Sequence, residues 1–366
     1  MSPAPPAVLL AGGGTAGHVA PLLALADCLR RRDPATPVLA LGTSSGLEQR
    51  LVPERGYDLA VVPRVPMPRR PSTDLMALPG RLRAAVRAAE RAIDEVGADV
   101  VVGFGGYVST PAYLAARRRR LPVVVHEQNC RPGLANRVGA RFTRHVAVTF
   151  PGTPLPHARR VGLPMRSEIA RLDRDALREK ARAHFGLKPD LVTLLVYGGS
   201  QGAQRLNETF GRAAADLVGA GVQVLHASGV GKQVAPAGES SDVPYVVVPY
   251  LDRMELAYAA ADFVVGRAGA GTVCEVTAVG LPAAYVPLPI GNGEQALNAE
   301  PVVAAGGGVL VEDRECSPAW VRETLLPLLG DGARCERMGR AASGFGVRDG
   351  DERLADMVLA AAEGRW

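Results

Sequence analysis

The sequence predicts an α/β protein made of two Rossmann-like parallel-sheet domains, and three observations carry that prediction. Short apolar runs alternate with helical patterns almost from the first residue, which is the signature of parallel α/β layers. At 366 residues the chain exceeds one ordinary core, so two domains are expected. Three glycine-rich loops, at 12–18 (GGGTAGH), 103–107 (GFGGY) and 198–202 (GGSQG), each stand where an apolar run gives way to a helix. Such a loop lets backbone N–H groups close on a phosphate, and the helix dipole adds partial positive charge there.

Strands are expected at 8–11, 38–41, 100–103, 123–126 and 146–148. Pro151, Pro154, Pro156 and Pro164 then punctuate a stretch too rich in proline for a helix or a central strand. Alternation restarts with strands at 191–197, 222–227, 245–248, 263–265 and 283–287. The expected domains are therefore 1–161 and 162–345, with a helix in 346–366 crossing back onto the first. Both halves begin with strand, glycine loop and helix, which fits two halves facing one cleft.

Hydrophobic residues at 47% and charged residues at 22% describe a globular protein able to bury large sheets. Aromatic residues at 5% argue against stacking platforms for nucleic acid. The five cysteines, Cys28, Cys130, Cys274, Cys316 and Cys335, are odd in number and never form a CxxC pair. Reduced thiols are expected, not a disulfide framework or a zinc site. Residues 1–6 carry no basic segment, so no signal peptide is expected. No apolar stretch has the length to span a bilayer, so membrane contact would be from the surface.

Each motif has competing readings. Gly12, Gly14 and Gly17 satisfy GxGxxG, but the next strand ends Leu41-Gly42-Thr43 without the carboxylate that a dinucleotide ribose requires. Residues 198–202 satisfy GxSxG, yet the only histidine after Ser200 is His226, in the very next strand, which leaves no hydrolase triad. Ser200 then reads as a hydrogen-bonding residue. Thr272 to Glu275 fits a capping box, but it follows the small-residue turn 267–271, which would leave the helix start open to an anion. Glu275, one turn in, would accept hydrogen bonds from a diol. Asp173-Arg174-Asp175 and Asp349-Gly350-Asp351 look like DxD metal motifs but precede helices, so capping is expected and no metal is required. Helix dipoles and Arg166 would instead neutralise a diphosphate.

His18 follows the first loop and can take a proton near neutral pH. His126 to Asn129 (HEQN) ends a strand, where open α/β sheets place ligands, and four adjacent polar side chains suit a sugar. The arginines at 64, 69, 70, 81, 83, 87 and 91, and those at 117–120, form two basic clusters in the first domain. Leu82, Val86, Ala89 and Ile93 recur between them at helical spacing and should pack on the sheet. The arginines then read either as a solvated face or, with Leu75, Met76 and Leu78 as an apolar wedge, as a contact for anionic lipid.

Taken in order, GGGTAGHVAP (12–21), GFGGYVSTP (103–111), HEQN, GGSQGAQ (198–204), RAGAGTVCE (267–275) and GEQALN (293–298) give the chain a nearly full-length resemblance. It resembles the bacterial peptidoglycan N-acetylglucosaminyltransferases, which convert lipid I to lipid II. The resemblance implies a GT-B fold, UDP-N-acetylglucosamine as donor and undecaprenyl-pyrophosphoryl-MurNAc-pentapeptide as acceptor. It implies no cofactor. It places the chain at the cytoplasmic face of the cell membrane as a peripheral protein, held by anionic lipids, with other cell-wall synthesis proteins as partners and no nucleic acid. By position, Thr15, Ala16, Gly17 and Asn129 would approach the donor sugar or its phosphates. Arg166, Ser200 and the backbone of Leu251 would contact the nucleotide, and Ala270, Gly271, Thr272, Val273 and Cys274 would form the phosphate-facing helix start. Glu275 would take the ribose hydroxyls and Gln295 the sugar hydroxyls. The base is expected to be His18, with Glu127 second. Glu294 stands where better-known members commonly carry glutamine, and it receives no role. Three other readings stay open: a different GT-B lipid glycosyltransferase, a UDP-N-acetylglucosamine 2-epimerase, and a catalytically inactive nucleotide-sugar-binding protein.

Overall fold

The computed structural model describes residues 4–65, 74–199, 202–237, 242–290 and 292–364, with backbone alone for 74–77. Ser200, Arg69 and Arg70 therefore lie outside the described residues, as do the side chains of Leu75 and Met76. The chain divides into two compact units, residues 1–166 with 349–366, and residues 167–348.

The first unit carries seven parallel strands: β1 (Val8–Ala11), β2 (Val38–Gly42), β3 (Asp58–Val61), β4 (Val100–Gly103), β5 (Val123–Glu127), β6 (His145–Val148) and β7 (Ala158–Arg160). Their order is 3-2-1-4-5-6-7. The second carries β8 (Val192–Tyr197), β9 (Val222–Ala227), β10 (Tyr245–Val248), β11 (Phe263–Gly266), β12 (Ala283–Tyr285) and β13 (Gly308–Leu310), in the order 10-9-8-11-12-13. Every pairing is parallel, so crossover helices cover both faces of each sheet. That is why β1, β4 and β11 are buried along their whole length and read as unbroken apolar runs.

Three strands have no counterpart among the expected ones: β3, β7 and β13. All three are sheet edges, and all their residues except the buried Gly308 are partly or fully exposed. An edge strand pairs on one side and needs little apolar side chain, so its sequence carries no run to detect.

On the helix Asp74–Val96, Val86, Ala89 and Ile93 are buried against the first sheet with Leu82 packed beside them, while Arg81, Arg83, Arg87 and Arg91 are exposed. The second basic run is largely engaged within the chain. Arg118 pairs with Glu90 at 3.3 Å, Arg119 pairs with Asp94 at 2.5 Å, and Arg117 stacks over Phe142. The two DxD segments part ways. Asp173 caps the helix Arg174–His184 by accepting from the Ala176 N–H, whereas Asp349 makes no cap and pairs instead with Arg353.

The helix Gly350–Ala362 belongs to the first unit, where Leu354, Ala355, Val358 and Ala361 enter the core around Val8, Leu10 and Val102. Its amino end is clamped by arginines of the helix Ala16–Arg32: Arg31 contacts Asp351 at 2.9 Å and Glu352 at 2.5 Å, and Arg32 contacts Glu352 and Asp356 at 2.6 Å. The Arg31 guanidinium, with Arg32 beside it, draws the Glu352 carboxyl down to about 2. A depressed carboxylate stabilises the fold above its unfolded value and loses that contribution as pH falls through the folded one. Glu352 is 36% exposed, so solvent screening leaves about 1 kcal/mol. Denaturant melts should therefore separate wild type from Glu352→Gln by about that much at pH 7. The gap should close between pH 4.5 and about 2.

Candidate active site

In each sheet the strand order reverses once, between β1 and β4 and between β8 and β11. Open α/β sheets bind ligands beyond the carboxyl ends of the strands at that point. Ala11 and Gly103 end β1 and β4 in register, and Tyr197 and Gly266 end β8 and β11 in register. The loops that leave these four ends are 12–18, 103–107, 198–202 and the turn 267–271. The three expected glycine loops are thus joined by a fourth, and the four form one pair at each switch point.

In the first unit the two loops touch. A Cβ at Gly106, which holds φ +76°, would stand 2.8 Å from the Gly13 carbonyl oxygen, so only glycine permits the approach. Ser109 ties the same region together, accepting from the Gly105 N–H at 2.9 Å while its hydroxyl lies 3.0 Å from the Ala11 carbonyl. Thr15 caps the helix Ala16–Arg32 by position only, its side chain being turned to His18 Nδ1 at 3.0 Å. His18 packs beside Gly105, and its ring also bonds to the Gly13 carbonyl. Desolvation pulls its basicity below the ordinary histidine value, against the raising effects of Gly13 and of the Glu48 carboxylate. Thr15 and Gly17 are exposed and Ala16 is half-buried.

The HEQN segment differs from the expected four sugar-facing side chains. His126, Glu127 and Gln128 are buried, and only Asn129 is half-exposed. His126 Nε2 meets the Gly162 carbonyl at 2.9 Å, and burial lowers its pKa to about 4. The Gln128 amide donates to the Phe104 carbonyl, which braces the second loop. The Glu127 carboxylate accepts from the Asn129 N–H, the Gly133 N–H and the Asn136 amide, all within 3.0 Å. Burial pushes its pKa up against those bonds. Asn136, which no motif flagged, links this carboxylate to the Tyr113 hydroxyl.

In the second unit the helix Ala270–Ala278 begins two residues before the expected capping box. Gly269 is its N-cap and offers no side chain, Thr272 lies inside the first turn, and Glu275 serves no capping role. Glu275 instead accepts a 2.8 Å bond from the Tyr258 hydroxyl, which stands 2.9 Å from the Tyr197 hydroxyl. Val273 is buried and Cys274 half-buried on the same helix, and Leu251 is buried just beyond β10. Arg166, half-buried, is the last residue of the first unit's main segment.

A cavity of about 710 Å³ opens at this switch point, lined by Gly199, Gly202, Lys232, Arg267, Thr272 and Gln295 among others. Gln295 Oε1 accepts from the Ala268 N–H at 3.2 Å and the Leu288 N–H at 3.0 Å, which fixes that side chain against the turn. Arg267 is held by Asp313 at 2.6 Å and by two backbone carbonyls, and its buried Nε has no partner among the described residues. Lys232, anchored to the Gly202 carbonyl, adds a cation that the motifs did not disclose.

Comparison with known proteins agrees with this arrangement. The glycosyltransferase family 28 N-terminal domain matches residues 8–148, and the family 28 C-terminal domain matches residues 193–354. A protein of Nocardioides sp. is 60% identical over 96% of this chain and 97% of its own length. One from Streptomyces avermitilis is 58% identical over 98% and 99%. Both are named UDP-N-acetylglucosamine--N-acetylmuramyl-(pentapeptide) pyrophosphoryl-undecaprenol N-acetylglucosamine transferase. Among solved structures, Acinetobacter baumannii MurG superposes with a TM-score of 0.78 at 28% identity, covering 97% of this chain and 99% of that one. A UDP-GlcNAc 2-epimerase from Neisseria meningitidis reaches 0.66 at 12% identity, which shows a shared fold and no more.

Proposed function

This chain belongs to glycosyltransferase family 28, and from that premise we propose that it transfers N-acetylglucosamine from UDP-N-acetylglucosamine to the 4-hydroxyl of MurNAc in undecaprenyl-pyrophosphoryl-MurNAc-pentapeptide. The observation that carries the reading is full-length similarity to transferases named for that reaction, on a chain whose two switch points are furnished with phosphate-cradling loops.

The second unit holds the donor. The open start of the helix Ala270–Ala278 presents the amides of Ala270, Gly271 and Thr272 to the diphosphate. The expected Val273 contact fails because its N–H is spent on the Gly269 carbonyl, and Cys274 lies deeper in the helix. Lys232, bonded to the Gly202 carbonyl, supplies a cation beside the glycine loop, and Arg166 adds charge to the leaving diphosphate. Glu275 accepts the ribose hydroxyls, and the backbone of Leu251 contacts the nucleotide. The carbonyl of Gln295 is already bonded to backbone, so its amide nitrogen is the end that a sugar hydroxyl meets. The diphosphate charge is met by these groups and needs no metal.

The first unit supplies the base. With the ring N–H given to Gly13, His18 keeps a lone pair for the acceptor proton. The 4-hydroxyl oxygen bonds to C1 from the face opposite UDP, the C1–O bond to the diphosphate breaks with its electron pair leaving on UDP, and the proton passes to His18. The product is β-1,4-linked. Thr15, Ala16, Gly17 and Asn129 approach the reacting sugar from the loop and the end of β5. The braced Glu127 orients that end, its two oxygens held by the Asn129 and Gly133 N–H groups and the Asn136 amide.

Among the described residues no helix is long and apolar enough to cross a membrane. The acceptor is lipid-borne, so the chain works as a peripheral protein at the cytoplasmic membrane face. The exposed arginines at 81, 83, 87 and 91 are its contact with anionic headgroups. Radiolabelled donor presented with lipid I, diacylglycerol or sterol in parallel tests the reading. Label should enter lipid I alone. Transfer to another lipid, or donor consumed without any acceptor, would replace this assignment with a different transferase or an epimerase.

A further inference from the structure

Beneath the first glycine loop lies a carboxylate that the reaction as described does not use. Glu48, fully buried, is the first residue of the helix Glu48–Glu54. Its Oε2 accepts from the Gly14 N–H at 2.9 Å, and its Oε1 accepts from the Thr43 N–H at 2.8 Å and the Thr43 hydroxyl at 2.9 Å. Three glycines clear the space it occupies. A Cβ at Gly46 would stand 1.9 Å from Oε2, one at Gly13 2.5 Å from Oε1, and one at Gly42 2.4 Å from Cγ. Burying a charge this completely costs several kcal/mol unless donors surround it, so a site built this closely around a carboxylate needs its charge or its geometry.

We propose that Glu48 is the positioning residue of the reacting centre, fixing the turn at Gly14 from below so that Gly13 and Thr15 hold the His18 ring, and setting the electrostatic field in which that ring takes its proton. A dinucleotide fold of this strand order would place an acid at the end of β2 to bind ribose. Here the carboxylate reaches that strand end from the following helix and is spent on loop backbone instead, so the first switch point is a reaction site and not a nucleotide site. The inference rests on the transferase reading and on His18 as its base.

The surroundings of His18 contain few other charges. Its own helix offers the neutral Thr15 hydroxyl, and the second loop offers the Gly105 backbone. The helix Leu134–Gly139 offers the neutral Asn136 amide, with the buried Glu127 carboxylate behind it. Burial pushes Glu48 toward the neutral form, but its backbone and hydroxyl donors outweigh that and keep it below the ordinary glutamate value, so it is charged across the working range. Its charge acts to raise the His18 pKa. Removing that charge must lower it further.

Glu48→Gln and Gly46→Ala, assayed beside wild type for transfer to lipid I from pH 5 to 9, test this. Glu48→Gln keeps the shape and the bonds from Thr43 but turns an amide toward the Gly14 N–H. Its kcat should fall roughly 10-fold to 100-fold, with donor KM within about threefold. The acid limb of its kcat/KM profile should move about 0.5 unit or more to lower pH. Gly46→Ala keeps the charge and displaces the carboxylate, so kcat should fall while the limb stays in place. A Glu48→Gln limb that does not move would overturn the electrostatic role, because a merely structural residue lowers kcat without shifting it. If Glu48→Gln does not fold, an undiminished kcat in Gly46→Ala overturns the positioning role. Wild type inert on lipid I would instead defeat the transferase reading itself.

Discussion

His18→Ala should lower kcat by roughly 100-fold or more while leaving the donor KM nearly unchanged, since a base in the proposed role would touch the attacking hydroxyl and not the nucleotide. The tautomer with the proton on Nε2 satisfies both contacts of the ring, the Gly13 carbonyl on one side and the Thr15 hydroxyl at 3.0 Å from Nδ1 on the other. That leaves the Nδ1 lone pair facing the exposed Thr15 hydroxyl, which the acceptor hydroxyl must replace before the ring takes its proton. Desolvation lowers the His18 pKa from 6.5, so the ring is neutral at pH 7 and ready to accept a proton. The sign follows directly: activity should be flat through pH 7 and fall on the acid side, with the inflection below 6.5. In the alanine variant the residual rate should lose that limb. Continuous detection of UDP release across pH 5 to 9 reads both effects, and a variant with wild-type kcat would remove His18 from the role of base.

Much of this architecture was legible because parallel strands buried on both faces must be apolar throughout. Residues 8–11, 100–103 and 222–227 were expected as strands with the boundaries they have. The glycine loops were legible for a related reason. Close approach of backbone to backbone, as at Gly106 against Gly13, admits no side chain and so forces the residue type. What stayed hidden was whatever depends on a partner distant in sequence. Glu48 bonds to Gly14 across 34 positions, and its only local sign is the pair of glycines at 42 and 46 that make room for it. Tyr258 reaches Glu275, and Lys232 reaches the Gly202 carbonyl, without any motif. The HEQN run misled for a physical reason: four polar side chains at a strand end look costly to bury, but loop carbonyls and N–H groups bond to three of them, leaving His126 Nδ1 and Gln128 Oε1 without a partner among the described residues. The capping box misled because Gly269, lacking a side chain, starts the helix earlier than Thr272.

Glu275→Ala should weaken UDP binding by roughly 30-fold to 100-fold, and the physical reason lies in what supports that carboxylate. The Tyr197 and Tyr258 phenols are buried, and desolvation holds both far above the ordinary tyrosine pKa, so they stay protonated. Tyr258 therefore donates to Glu275 Oε2, and its own oxygen is free to accept from Tyr197. That chain pins Oε2, and the carboxylate is carried by a helix one turn in from its start at Ala270. A diol then meets an acceptor already fixed in place, with little ordering cost on binding. The diagnostic measurement is a cycle by calorimetry with UDP and 2′-deoxy-UDP. Wild type should bind the deoxy ligand about tenfold or more weakly, because the site is left with an unpaired acceptor. Glu275→Ala should bind the two alike, since the hydroxyl and its partner have then both been removed. If the alanine variant still discriminates between them as wild type does, the ribose is recognised elsewhere and the phenol chain serves only the core.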